Sequence, residues 1–180
     1  MSNPGDGIVG SVVDGGLGEM GAVFDHAALA APRLRDLLPI YQDLLQGRFL
    51  YGGDNRRVGY RALQLAYSDG SRIELMEPLS GSAFFDSFVK RKGWGLHHIT
   101  FKVSDIRRAI DIAEHRGFVL VGAFLDDVCW KEVFIHPREA CGTLVQLAQS
   151  APGYPPPQLD SSVEDVLAGR GNDGNNQPSP

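Results

Sequence analysis

Between residues 24 and 148 the apolar positions of this chain follow two rhythms, and the order of the rhythms repeats. Residues 24–30 and 96–103 read as short alternating strands, in the second of which Ile99, Phe101 and Val103 are separated by polar neighbours. Each is followed by apolar residues at helical spacing. In the first copy these are Leu34, Leu37, Leu38, Tyr41, Leu44 and Leu45, and a helix beginning near Asp36 accommodates Pro39 in its first turn, where N–H groups have no partner to lose. In the second copy Ile106, Ala109, Ile110 and Ala113 form the stripe, Ser104 is the expected N-cap and Gly117 the stop. Three strands then follow in each copy: 48–51, 60–67 and 71–77, then 118–124, 130–135 and 143–148. Ser68-Asp69-Gly70 is a hairpin turn, residues 136–142 are its counterpart, and Tyr51-Gly52-Gly53-Asp54 reads as a turn.

Superposing the copies at an offset of 72 residues pairs Leu29 with Phe101, Leu34 with Ile106, Leu38 with Ile110, Gly70 with Gly142, Ile73 with Val145 and Leu75 with Leu147. The chain is therefore expected to be an α+β protein of two tandem βαβββ modules. At the same offset His26 matches His98 and Glu74 matches Gln146. Strand alternation then fixes their direction. Ile99 and Phe101 pack beneath the helices, as do Ile73, Leu75, Val145 and Leu147, so His98, Glu74 and Gln146 face the other way. If the mixed sheet curls with its helices outside, this polar face lines a cleft.

Composition narrows the setting. The 180 residues, 43% of them apolar and 22% charged, fit one soluble domain, and a net charge of −5 excludes a nucleic-acid binder that relies on bulk positive charge. No apolar run is long enough to span a bilayer, and the Gly-rich start lacks the features of a secretory signal. Cys129 and Cys141 form no framework, and a reduced pair points to a cytoplasmic location. Residues 1–22 are expected to be a disordered arm and residues 150–180, rich in Pro, Gly and Asn, a mostly disordered tail in which 162–167 can form one helical turn that docks on the rest of the chain. The single folded domain is then 23–149, with modules 23–80 and 95–149.

Two imidazoles, a carboxylate and a carboxamide form a mixed N/O ligand set. Such a set suits a divalent first-row ion (Co, Ni, Mn, Fe or Zn) and is too nitrogen-rich for a Ca or Mg cage. Four protein ligands on an octahedral ion leave two positions for a substrate with two nearby oxygens, whose enolate the ion would stabilise. His26, Glu74, His98 and Gln146 are the predicted ligands, and the partner is a small-molecule carbonyl compound.

Three strings carry a resemblance: Ile73-Glu74-Leu75-Met76-Glu77-Pro78-Leu79; Gly95-Leu96-His97-His98-Ile99 with Val103-Ser104-Asp105-Ile106 downstream; and Phe134-Ile135-His136-Pro137-Arg138 leading to Gly142-Thr143-Leu144-Val145-Gln146-Leu147. The paired modules resemble the vicinal oxygen chelate superfamily, which includes glyoxalase I, extradiol dioxygenases and antibiotic-resistance proteins. Within it, the strings look most like methylmalonyl-CoA epimerases. The resemblance covers 24–149 and implies a helix over 82–93 between the modules, an acyl-CoA substrate, a metal-dependent isomerase and pairing as a homodimer. It assigns the ligands His26, Glu74, His98 and Gln146. In the epimerases the position of Gln146 is normally a glutamate that also moves a proton; Gln cannot do so, and the base is then expected at Glu74. Gln64 and Arg61 occupy the strand where another catalytic group would stand. A glyoxalase-type lyase or isomerase, or a non-catalytic small-molecule-binding protein, would use the same cleft. His97 is expected at the core or module boundary and His136 as a turn anchor. Trp94 and Trp130 are read as cleft wall or core, and Lys90-Arg91-Lys92 and Arg56-Arg57 as solvated charges or contacts to a CoA phosphate.

Overall fold

The computed structural model describes residues 21–155, 158 and 160–171. The disordered arm expected over 1–22, except Gly21 and Ala22, lies outside the described residues, as does the end of the tail at 172–180. The first module contributes β1 (Val23–Ala30), β2 (Arg48–Asn55), β3 (Tyr60–Ala66) and β4 (Arg72–Pro78). Helix α1 (Asp86–Lys92) links it to the second, which contributes β5 (Gly95–Lys102), α2 (Ile106–His115), β6 (Leu120–Phe124), β7 (Trp130–Ile135) and β8 (Leu144–Ser150). All eight strands form one mixed sheet in the order β2-β3-β4-β1-β5-β8-β7-β6. β1 runs parallel to β4 and β5 parallel to β8, while β1 and β5 pair antiparallel at the centre. That arrangement is the expected α+β fold of two βαβββ modules, related by a pseudo-twofold between β1 and β5.

The sheet is open but curls. Arg57, next to β3, lies over the ring of Phe124 on β6, 3.9 Å from its centroid, although the two strands stand at opposite ends of the strand order. Each module keeps its own core beneath the sheet. Leu34, Leu38, Leu63, Leu65 and Leu75 form the first, and Val103, Ile106, Ala109, Val133 and Leu147 the second. Ala28, Ala30, Met76 and Phe85 form a third cluster with the hydrophobic residues of the linker.

Several local expectations change. The first-module helix is not a regular α-helix. Pro39 has no N–H and its ring would clash with the carbonyl one turn back, so the segment breaks into a 3-10 turn at Leu34–Asp36 and a wide i→i+5 turn at Pro39–Leu44. The wider turn swings the stripe outward and leaves Leu44 74% exposed. Tyr51-Gly52-Gly53-Asp54 is not a turn but the middle of β2. Gly52 is there because the strands approach closely: a Cβ would stand 2.6 Å from the Ala62 carbonyl oxygen. The N-cap of α2 is Asp105, one residue beyond Ser104, and its carboxylate accepts from the N–H groups of Arg107 and Arg108.

The tail is corrected most. β8 continues to Ser150, and α3 (Val163–Leu167) is closed by a Ser162–Asp165 capping box. Val163 and Val166 enter the first core beside Leu34 and Leu63. Arg61, held by Asp54 at 2.6 Å, donates to the Leu167 carbonyl at 2.8 Å and so ties the end of α3 down. The turn expected over 162–167 thus docks as a helix on the first core, because a few apolar side chains supply burial that the average composition of residues 150–180 does not reveal.

Candidate metal centre

Cross-strand pairing lays the site out in two rows. Gln64 pairs with Glu74, Glu74 with Ala28, and Ala28 with His98. In the neighbouring row His26 pairs with Thr100, Thr100 with Gln146, and Gln146 with Phe134. The pseudo-twofold exchanges His26 with His98, Glu74 with Gln146, and Ala28 with Thr100. Three predicted ligands converge: the Nε2 atoms of His26 and His98 lie 3.6 and 3.5 Å from the same Glu74 oxygen, and the three ligand atoms fall within 4.8 Å of one another. Gln146 joins them through Thr100, whose hydroxyl donates to the Gln146 Oε1 at 2.5 Å and lies 3.1 Å from His26 Nε2.

Two β-bulges complete this arrangement. On β1 the register steps from Phe24 to His26 against consecutive residues of β5, so Asp25 is the extra residue. A bulge breaks alternation, and Asp25 turns to the same face as His26. Its carboxylate accepts from His26 Nδ1 at 2.7 Å and from Arg72 at 2.7 Å, with Lys102 at 3.4 Å. On β5 the skipped residue is His97, whose Nδ1 lies 2.9 Å from Nδ1 of His98. Both imidazoles therefore have Nδ1 engaged from behind and Nε2 turned to the centre, the arrangement in which an outer partner would fix a ligating ring. His97 meets Phe84, Phe85 and Phe88 at the module boundary and also lines the cleft.

Electrostatics separate the histidines. Burial alone would depress His26, but the hydrogen bonds and charges of Asp25 and Glu74 outweigh it and lift the ring to about 9. His98 is held well below the usual imidazole range by burial and by the neighbouring His26 and His97. Burial likewise lowers His97, to about 4. Asp25 ends below the usual carboxylate range: burial raises it, and His26, Lys102 and Arg72 more than compensate. A neutral His98, a His26 whose inner proton a cation can replace, and the Glu74 carboxylate form a donor set that fits a divalent first-row ion.

Two participants, Asp25 and Glu132, lie outside the set that the sequence predicts. Asp25 was invisible because alternation puts it on the helix side, and only the bulge reverses it. Glu132 on β7 was legible, since Val133 beside it is core and Glu132 must then face the cleft; its Oε2 accepts from Gln146 Nε2 at 2.7 Å. Gln64 faces the site, with its carboxamide nitrogen 3.2 Å from His26 Nδ1, whereas Arg61 serves the opposite face. His136 anchors its turn by accepting from the Arg138 N–H. Trp130 walls the cleft, and Trp94 packs on Phe85 outside it. Of the basic residues, Arg57 lines the cleft, Arg56 pairs with Asp54, and Lys92 reaches the Gly142 carbonyl.

The cluster opens into a cavity of about 410 Å³, walled by Tyr51, Tyr60, Phe84, Trp130, Phe134 and Tyr154 among others. The ethylmalonyl-CoA/methylmalonyl-CoA epimerase of Cereibacter sphaeroides is 30% identical over 129 residues, covering 69% of this chain and 96% of that protein. The uncharacterized protein YqjC of Bacillus subtilis is 28% identical over 129 residues, covering 69% and 90% respectively. The crystal structure of methylmalonyl-CoA epimerase from Mycobacterium tuberculosis superposes with a TM-score of 0.63 at 29% identity, covering 72% of this chain and 88% of that one. The sequence profile of the Glyoxalase/Bleomycin resistance protein/Dioxygenase superfamily matches residues 25–127, so the chain belongs to that superfamily.

Proposed function

We propose that this protein is a divalent-metal-dependent isomerase that inverts the carbon next to a thioester carbonyl, the reaction of a methylmalonyl-CoA epimerase. The observation that carries the reading is the convergence of His26, Glu74 and His98 at the floor of a cavity large enough for a small acyl group. His26, Glu74, His98 and Gln146 would hold the ion. Once bound, the ion would act as a Lewis acid toward two substrate oxygens and stabilise the enolate. The chain supplies the rest. Glu74 takes the proton from the carbon between the two carbonyls as the C–H bond breaks and its electron pair moves onto the thioester oxygen. A solvent-derived proton delivered to the opposite face re-forms the C–H bond as the electron pair returns to carbon, inverting the centre, and Glu74 releases its proton to solvent. Asp25 and His97 hold the two imidazoles in place.

The test is incubation of metal-loaded protein with methylmalonyl-CoA in deuterium oxide, followed by proton NMR. Deuterium at C2, lost in Glu74→Gln, supports the proposal. Absence of exchange refutes the epimerase assignment, and turnover of a glutathione or mycothiol hemithioacetal instead would place the protein with glyoxalase-type enzymes. The aromatic walls favour one second reading, a non-catalytic protein that binds a planar ligand; it predicts ligand binding without exchange or turnover.

A further inference from the structure

Gln146 is a ligand with two unlike ends. Its carboxamide can offer an ion only the oxygen, and a half-turn about the last side-chain bond would present an N–H₂ group that repels it. At the pseudo-equivalent position Glu74 has no such problem, since both carboxylate oxygens serve. Something must therefore decide which end of Gln146 faces the centre.

Glu132 stands where that decision is made. Its Oε2 accepts from Gln146 Nε2 at 2.7 Å and from Trp130 Nε1 at 2.8 Å. Reversing the amide would set Oε1 against a carboxylate oxygen, two acceptors at hydrogen-bond distance with no proton between them. With Glu132 ionised, the chemistry of the pair thus fixes the amide direction. The Trp130 indole can only donate, so it holds the Glu132 oxygen without competing for the Gln146 amide. On the inner side Gln146 Oε1 accepts from Thr100, whose hydroxyl also meets His26 Nε2, so the outward N–H₂ and the inward oxygen belong to one continuous chain.

We propose that Glu132 is a positioning residue of the metal centre, holding the Gln146 carboxamide with its oxygen toward the ion. The proposal rests on the metal-centre reading given under the proposed function. It makes Glu132 act entirely through Gln146, and this can be separated from a general structural role.

The experiment measures Co(II) affinity by titration calorimetry, and the visible Co(II) spectrum, in the full chain and four variants. Glu132→Leu is expected to weaken Co(II) about 10- to 100-fold, the usual effect of losing a residue that orients a ligand, and to shift the visible bands. Glu132→Gln keeps an acceptor for both donors and should stay within about threefold of the parent with an unchanged spectrum. In a Gln146→Ala background, adding Glu132→Leu should cost less than about twofold, because nothing remains to be positioned. An unchanged affinity and spectrum in Glu132→Leu, or a loss of the same size with and without Gln146, overturns the proposal. If Glu132→Leu does not fold, a spectrum shifted in Glu132→Gln overturns it equally. Failure of the parent itself to bind Co(II) defeats the metal-centre reading, a result distinct from either.

Discussion

Metal binding should expel one proton from this protein, and the proton should come from His26. The ring is held at about 9 by Asp25 and Glu74, while His98 is already neutral near pH 7. At pH 7, about two units below that value, roughly one His26 ring in a hundred has a free Nε2. An ion must displace the proton, at a cost of about 3 kcal/mol, or roughly a hundredfold in apparent affinity. The apparent Kd for Co(II) or Zn(II) is therefore expected to fall about tenfold per pH unit from 6.5 to 9 and level off above. Calorimetry at pH 7 in two buffers of different ionisation enthalpy should report close to one proton released per ion. The same linkage has an opposite sign in the metal-free protein. Because the folded value lies above the ordinary 6.5, the stability that His26 contributes is complete below pH 6.5 and disappears as pH rises through about 9. The urea midpoint of the metal-free protein should thus fall over that range, and the metal-loaded protein should not follow it. A Kd independent of pH between 6.5 and 9, or proton release near zero at pH 7, would falsify the assignment of His26 Nε2 as a ligand.

Three further outcomes test other parts of the structure. His26→Ala and His98→Ala should each strip the ion on dialysis, measured by elemental analysis, while His115→Ala at the exposed end of α2 should retain the parent stoichiometry. His97 titrates at about 4, below the ordinary value, so the stability it contributes is present above pH 6.5 and lost as pH falls toward 4; His97→Phe should flatten that acid limb in a series of thermal melts. Val166→Ala removes two methyl groups from a fully buried position in the first core, and should cost about 1.5–3 kcal/mol in chemical denaturation. An effect below about 0.5 kcal/mol would mean that α3 does not dock in solution.

How much of this was legible depended on whether periodicity held. The sheet could be read because each module keeps strict period-two alternation where it buries Ile73, Leu75, Val145 and Leu147, and a shift by one residue would have turned those side chains to the cleft. The same rule placed Glu74, His98 and Gln146 on one face, and the 72-residue offset tied His26 to them. Reading failed where the backbone leaves its period. Asp25 is a bulge residue, and an alternation argument assigns it to the wrong face with as much force as it assigns its neighbours to the right one, whereas His97, the matching bulge residue, stands at the module boundary where the sequence puts it. Pro39 broke the first-module helix, and the docking of Val163 and Val166 came from two contacts too sparse to appear in a compositional average.

The bulges sit at equivalent steps of the two central strands, immediately before His26 and immediately before His98, and each delivers a residue that engages the Nδ1 of that histidine. A regular strand could not do this, because the residue next to an inward-facing histidine would point to the opposite side of the sheet. The extra residue is thus the means by which one strand supplies both a ligand and its support. The two halves use the device differently: Asp25 gives His26 a charged acceptor, and His97 gives His98 an imidazole partner whose ring is packed among phenylalanines. The repeat built a symmetric frame of four positions, and the bulges, with Thr100 in place of Ala28 and Glu132 behind Gln146, make its two sides chemically distinct.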